Sequence, residues 1–204
     1  YFSRAYVTII NHKQIKNNNA KQIFTSSGPL AFLPISNNKT SLVYSIFNKN
    51  SSNISEEKVI ELIKNYNTKY KIISFEKFES FKLQFSLLRN YSKQNVLAFG
   101  DQVHTIHPLA GQGFNMTLRD IKYFLKLLDE KIKYGLNLDS SIFEEFEKNN
   151  KYKNVIFANS IDIIHEFFRF EKNLPKVLSE KLFLYLNKNN TFKNYVSILA
   201  DRGF

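Results

Sequence analysis

Strand-like segments alternate with polar breaks from Tyr1 to Phe47. The breaks fall at Lys16 to Asn19, at Ser26-Ser27-Gly28-Pro29 and at Ser36-Asn37-Asn38. The apolar pieces Val7 to Ile10, Leu30 to Leu33 and Leu42 to Phe47 predict an antiparallel meander. Asn48 to Asn53 reads as a polar loop. Ser55 then stands before Glu56-Glu57-Lys58, with Val59, Ile60, Leu62 and Ile63 on one face, which predicts a short helix capped by the serine hydroxyl. Alternation around Phe81, Leu83 and Phe85 predicts a further strand within Ile72 to Leu88.

The pattern changes at Asn95-Val96-Leu97-Ala98-Phe99-Gly100-Asp101. A short continuous apolar run ending in Gly-Asp predicts a strand buried on both faces, and ligands in α/β sheets sit at the carboxyl ends of such strands. After the loop to Gly113, Leu118, Ile121, Phe124, Leu125 and Leu128 recur at helical spacing, so a helix is expected to about Lys133. From Asp139 onward the chain reads as helical, with breaks near Asn173-Leu174-Pro175 and Asn187 to Asn190.

Composition bounds the class. The 204 residues are 43% hydrophobic and 23% charged, which suits a globular chain able to build its own core. With no cysteine, disulfide scaffolds, thiolate metal sites and cysteine nucleophiles are excluded. No apolar run approaches a membrane span and no signal peptide is evident. Met116 is the only methionine, so the chain reads as a piece of a longer protein with further sequence expected upstream. Lys plus Arg number 29 against 18 Asp plus Glu, a net charge of +11. The lysines are scattered among Asn, Ile and Phe with no Arg-rich block, so compositional drift explains the charge better than a nucleic-acid footprint, and no nucleic-acid partner is expected.

The chemistry concentrates between Gly100 and Asp120. A carboxylate, Asp101, ends the apolar run; a Pro-containing turn follows; Gly111 and Gly113 then permit close backbone approach where a helix begins. That helix start offers unpaired amides and positive partial charge to an electron-rich group. Asp101 is suited to accept hydrogen bonds from sugar-like hydroxyls.

Gly100, Asp101 and Pro108 match the spacing of the second flavin-binding motif of FAD-dependent aromatic-ring monooxygenases, Gly-Asp, six residues, then Pro. The continuation HPLAGQGFN, with Leu118-Arg119-Asp120 beyond it, resembles within that superfamily the ubiquinone-biosynthesis hydroxylases. Gly28-Pro29-Leu30-Ala31-Phe32-Leu33-Pro34 is similar to the GPLAxLP strand these enzymes carry between their flavin motifs. With the later block Phe157-Ala158-Asn159-Ser160-Ile161-Asp162, the resemblance covers nearly the whole chain and corresponds to the carboxyl-terminal half of such an enzyme.

The resemblance implies an α/β fold: a partial FAD-binding domain of the para-hydroxybenzoate-hydroxylase type, an antiparallel substrate-covering sheet and carboxyl-terminal helices. It divides the chain into a sheet region at 1–88 and the carboxyl-terminal part of the FAD-binding domain with its helical tail at 89–204, the amino-terminal dinucleotide-binding part being absent. It assigns cofactor binding to Gly100, Asp101, Pro108, Leu109, Ala110, Gly111, Gln112, Gly113, Phe114 and Asn115, with Asp101 on the ribityl chain of FAD and the 108–115 loop against the flavin ring. Phe32 and Pro34 become substrate-pocket residues. The implied reaction uses NAD(P)H and dioxygen to hydroxylate the ring of a polyprenylated phenol. The implied location is cytoplasmic, with contact to the inner membrane face or to other ubiquinone-pathway proteins left open. A hydroxylase of a small soluble aromatic and a non-catalytic subunit retaining the fold are the alternatives. Gln102-Val103 stands where the family has two small residues, and no G-x-G-x-x-G occurs.

His104 and His107 are spaced i, i+3 with no third His or carboxylate evident nearby. Structural or flavin-adjacent hydrogen bonding is therefore favoured over a metal site, and no metal is expected. Arg119-Asp120 is expected to form local ion pairs on the first turns of its helix. The apolar, Lys-flanked stretches from Ile161 to Phe170 and from Leu182 to Leu186 suit helix packing, with an anionic membrane surface as the alternative.

Overall fold

The computed structural model describes residues 3–47, 54–107, 111–170, 188–191 and 193–194. The expected loop at Asn48 to Asn53, the Pro108-Leu109-Ala110 turn, the break at Asn173 to Pro175 and the Leu182 to Leu186 stretch lie outside these residues. The side chains of Ile164, His165 and 167–170 also lie outside the description. The chain divides after Leu83 into two compact units.

The first unit is an antiparallel sheet with one helix. Its elements are β1 (Ser3–His12), β2 (Lys21–Thr25), β3 (Gly28–Ser36), β4 (Lys39–Phe47), α1 (Glu56–Tyr66), β5 (Ile72–Phe75) and β6 (Glu79–Lys82). The strand order is β2-β3-β4-β1-β5, with β6 also pairing β1. The expected meander is therefore corrected: β1 lies on the far side of β4, and Lys21–Thr25 forms an edge strand that the apolar pattern did not reveal. The polar segment after β1 explains the crossing. His12 and Ile15 donate their amides to the Asn38 and Asn37 carbonyls, and the Asn17 amide bonds Ser36 O, Lys39 O and Thr40 Oγ1. The chain thus follows the end of the β3–β4 hairpin before returning along its outer edge.

Strand alternation sends Tyr6, Ile10, Leu30, Phe32, Leu42 and Tyr44 to one face, where they pack with Val59 and Ile63 of α1 and with Tyr70 and Phe78. Full burial of each large apolar side chain contributes roughly 1.5–3 kcal/mol. Ser55 caps α1 as expected, accepting from the Lys58 amide. The expected strand at Ile72 to Leu88 is three short strands, β5, β6 and β7 (Ser86–Leu87), and the last belongs to the second unit.

The second unit contains β7, β8 (Ser92–Lys93), β9 (Val96–Leu97), β10 (His104–Thr105), α2 (Gln112–Lys133) and α3 (Ser141–Phe170). β7 pairs β10 and β8 pairs β9, both antiparallel. The predicted doubly buried strand at Asn95 to Asp101 is corrected to a two-residue hairpin arm in which Val96 is 71% exposed. Only β8 pairs it among the described residues, so one side has no ladder. Phe99 points inward, stacked on Phe146 at 5.3 Å and edge-on to Phe124.

The helix expected to Lys133 is present, with only part of its spaced apolar set turned inward. Gln112, Met116, Asp120 and Leu127 are buried, and Phe124 and Leu128 pack partly beside them. Leu118, Ile121 and Leu125 are 40–54% exposed. Polar groups on α3 draw the Asp120 side of α2 inward. No helix among the described residues is long and apolar enough to cross a membrane.

Candidate cofactor-binding site

Gly100 opens a single 3₁₀ turn, Gly100–Gln102, in the left-handed region at φ +61°. A Cβ there would lie 3.4 Å from Cγ2 of Thr117, so the missing side chain lets the turn rest against α2. Asp101 follows, with an exposed carboxylate and a carbonyl that accepts from Thr105 Oγ1 at 2.8 Å. The carboxylate has no hydrogen-bond or ion-pair partner among the described residues. An acid exposed on a 3₁₀ turn in this way is open to hydroxyl donors.

Gly111, at φ +67°, forms the left-handed N-cap of α2, and no side chain caps the helix. A left-handed cap suits glycine because other residues pay a steric penalty there. Among the described residues no atom lies within 4 Å of a Cβ built on Gly111. Gln112 is buried with Oε1 unpartnered. Gly113 is helical, and a Cβ there would meet Ile106 Cγ1 at an ordinary 3.7 Å. Folding therefore requires glycine at Gly111 but not at Gly113. Phe114 is 70% exposed and Asn115 half-buried. Pro108, Leu109 and Ala110, assigned to the same loop, lie outside the described residues.

These features fit a flavin. The exposed Asp101 acid suits ribityl-type hydroxyls, and the uncapped helix start suits an electron-rich carbonyl edge. The buried, unpartnered Gln112 carbonyl oxygen offers an acceptor at the same helix start, and a buried acceptor is costly to leave unmade.

Behind the helix start lies a buried polar cluster. His104 Nε2 donates to Asp120 Oδ2 at 2.8 Å, with both side chains almost fully buried. Asn150 donates to Asp120 Oδ1 at 2.7 Å, and Asn154 reaches both carboxylate oxygens at 3.1 and 3.2 Å. The Tyr91 hydroxyl completes the cluster at 3.4 Å from Asn154. Burial raises that phenol above its usual range, the Asn154 hydrogen bond opposes the shift, and the Asp120 and Glu147 charges add to it. Asp120 is thus not the local ion-pair partner expected for Arg119, because a buried carboxylate needs donors and α3 presents two. Arg119 instead lies over the Phe157 ring at 4.4 Å with Nη1 buried and unpartnered. Burial lowers its guanidinium pKa, and Asp120 opposes the shift.

The reading of His104 missed this carboxylate because it lies 16 residues away, across a loop and two helical turns. The α3 asparagines carried no sequence signal beyond their i, i+4 spacing. His107 is also fully buried. Among the described residues no group of three or more His, Asp or Glu side chains could hold a metal ion.

Phe32 and Pro34 sit in the first unit on the inward parity of β3. Phe32 is buried in that unit's core, stacked on Tyr70 at 5.5 Å, and Pro34 is half-buried. Strand alternation turns Ala31 and Leu33 to the opposite, more open face.

Residues 9–135 match the family model described as FAD binding domain. The 3-demethoxyubiquinol 3-hydroxylase of Escherichia coli is 28% identical over 176 residues, covering 78% of this chain and 44% of that protein. The mitochondrial ubiquinone biosynthesis monooxygenase COQ6 of Dictyostelium discoideum is 24% identical, covering 86% and 43%. The chain thus spans less than half the length of these curated relatives. The fold is shared with the p-nitrophenol 4-monooxygenase PnpA of Pseudomonas putida, with a TM-score of 0.72 at 13% identity, covering all of this chain and 53% of that one. PqsL, a probable FAD-dependent monooxygenase of Pseudomonas aeruginosa, superposes with a TM-score of 0.63 at 16% identity over 84% of this chain and 50% of its own. With the matched region containing the Gly-Asp turn and the glycine-capped helix, the chain belongs to the FAD-binding-domain family and is similar to hydroxylases of ubiquinone biosynthesis within it.

Proposed function

We propose that the chain is part of an FAD-dependent monooxygenase that hydroxylates the aromatic ring of a polyprenylated phenol in ubiquinone biosynthesis, with NAD(P)H and dioxygen as co-substrates. The observation that carries this reading is the exposed Asp101 acid together with the uncapped, Gly111-started α2 helix, within a family that binds FAD. Bound FAD supplies the redox and oxygen-activating chemistry. Asp101 holds the sugar-like chain of the cofactor. The first amides of α2 stabilise negative charge on the ring edge they meet. Gln112 Oε1 accepts a hydrogen bond from the ligand, and Gly111 keeps side-chain bulk away from it.

The sheet unit takes the substrate-covering role in this proposal, with the face bearing Ala31 and Leu33 as its apolar contact surface. A polyprenylated phenol carries a small polar ring on a long apolar tail. Dispersed lysines give such an enzyme a modest, salt-screened attraction to an anionic membrane face, where that substrate resides. The test compares NAD(P)H-dependent oxygen transfer by the full-length protein to a prenylated phenol and to para-hydroxybenzoate. Hydroxylation coupled only to the soluble acid overturns the substrate, and failure to retain FAD overturns the cofactor.

A further inference from the structure

The geometry points to Asp120 and His104 as positioning residues for the cofactor site, acting as a staple that closes the loop carrying most of its groups; this rests on the flavin reading of that loop. The pair joins residues 16 apart in sequence through one 2.8 Å hydrogen bond. Between them in the sequence lies Gly111 to Asn115, the glycine-capped start of α2. Asp101 stands three residues before His104, and its carbonyl already accepts from Thr105, the neighbour of His104. Fixing His104 on α2 therefore fixes the acid and the helix start against each other.

Asp120 is equipped for this task. Asn150 and Asn154, one turn apart on α3, fill its remaining acceptor sites. A buried carboxylate with three donor side chains has little rotational freedom. The His104 ring depends on it, since among the described residues Nδ1 is buried without a partner and only Nε2 is bonded. The packing of the unit has separate anchors in Val103, Leu127, Ile142 and Phe146. Removing the staple should thus free the loop before it unfolds the helices.

The test uses His104→Ala, Asp120→Asn and the conservative His104→Gln in the full-length protein. FAD affinity, the visible circular dichroism of bound flavin and amide exchange over 104–114 in the flavin-free protein are measured. His104→Ala and Asp120→Asn should weaken FAD by about ten- to one-hundred-fold, the range for a lost hydrogen bond to a charged group. They should also alter the flavin dichroism and speed exchange over 104–114, while far-ultraviolet helicity is kept. His104→Gln, which retains a donor, should restore most of the affinity. Affinity and exchange within two-fold of the parent in both disruptive variants would overturn the proposal, as would weakened binding that merely tracks lost helicity and is not rescued by His104→Gln. If the parent itself binds no FAD, the flavin reading fails. The exchange comparison then decides the staple alone, faster exchange confined to the loop supporting it and unchanged exchange sinking it.

Discussion

A Cβ placed on Gly28, where the turn from β2 enters β3, would lie 2.0 Å from the carbonyl oxygen of Ser45 on the neighbouring β4. The same glycine has φ +138°, its carbonyl accepts from Thr25 Oγ1, and the adjacent Ser27 carbonyl accepts from the Phe47 amide. Close backbone approach and backbone conformation both demand glycine here.

Gly28→Ala is therefore expected to destabilise the sheet unit by more than about 2 kcal/mol, since backbone strain alone costs roughly 1–3 kcal/mol and the clash is with main chain. Chemical denaturation followed by circular dichroism measures it. An unchanged midpoint would show that the β2–β3 turn can move away from β4.

The two glycines at the start of α2 separate folding from binding. Gly111→Ala should cost about 1–2 kcal/mol of stability from the left-handed cap. Gly113→Ala should be neutral or stabilising by up to about 1 kcal/mol, because alanine favours a helix interior and the site has room. Loss of FAD affinity in a fully stable Gly113→Ala protein would then report contact with the cofactor, whereas normal flavin content and coupled turnover would remove Gly113 from the site.

Asp101→Ala should weaken FAD retention by roughly 1.5–3 kcal/mol, the usual range for a charged hydrogen-bond partner. The melting temperature of the flavin-free protein should be unchanged, because the side chain is exposed and unpaired among the described residues. Equilibrium dialysis of FAD against mutant and parent gives the answer, and equal affinities would reassign the acid.

Glu147 gives the second unit an acid-sensitive link. Burial works to raise its carboxyl, but the Tyr91 amide at 2.8 Å and the Lys151 ammonium at 3.0 Å outweigh burial, and the group ionises below its usual 4.5. With the folded value depressed, the unfolded chain takes up a proton first as the pH falls. The contribution is thus complete above the ordinary glutamate range and is lost on acidification through the folded value, at pH values below about 5. Glu147→Gln should flatten the dependence of the urea midpoint on pH in that window; an acid limb identical to the parent's would discount the link.

Local pattern carried far in this chain. Ser55 and the apolar positions of α1 fixed that helix and its cap, and the spacing from Leu118 onward located α2 to its last turn at Lys133. Gly100, Asp101 and Gly111 were legible as candidate site residues because their chemistry is local. A left-handed glycine, an exposed acid and a helix start need no distant partner to be recognised.

Tertiary structure decided what required a neighbour. α2 carries apolar residues on two faces, and the partners Asn150, Asn154 and Phe146 on α3 selected the face of Met116, Asp120 and Leu127 over that of Leu118, Ile121 and Leu125. The place of β1 beside β4 depended on Asn17 bonding the far end of a hairpin some twenty residues on. The inward turn of Phe32 followed from which sheet face α1 covered. The His104–Asp120 bond depended on a loop closing over 16 residues. Periodicity along the chain determines which elements form and which sides they can bury. Which side is buried, and which polar groups meet there, is decided by the free energy of packing against residues that sequence spacing does not place.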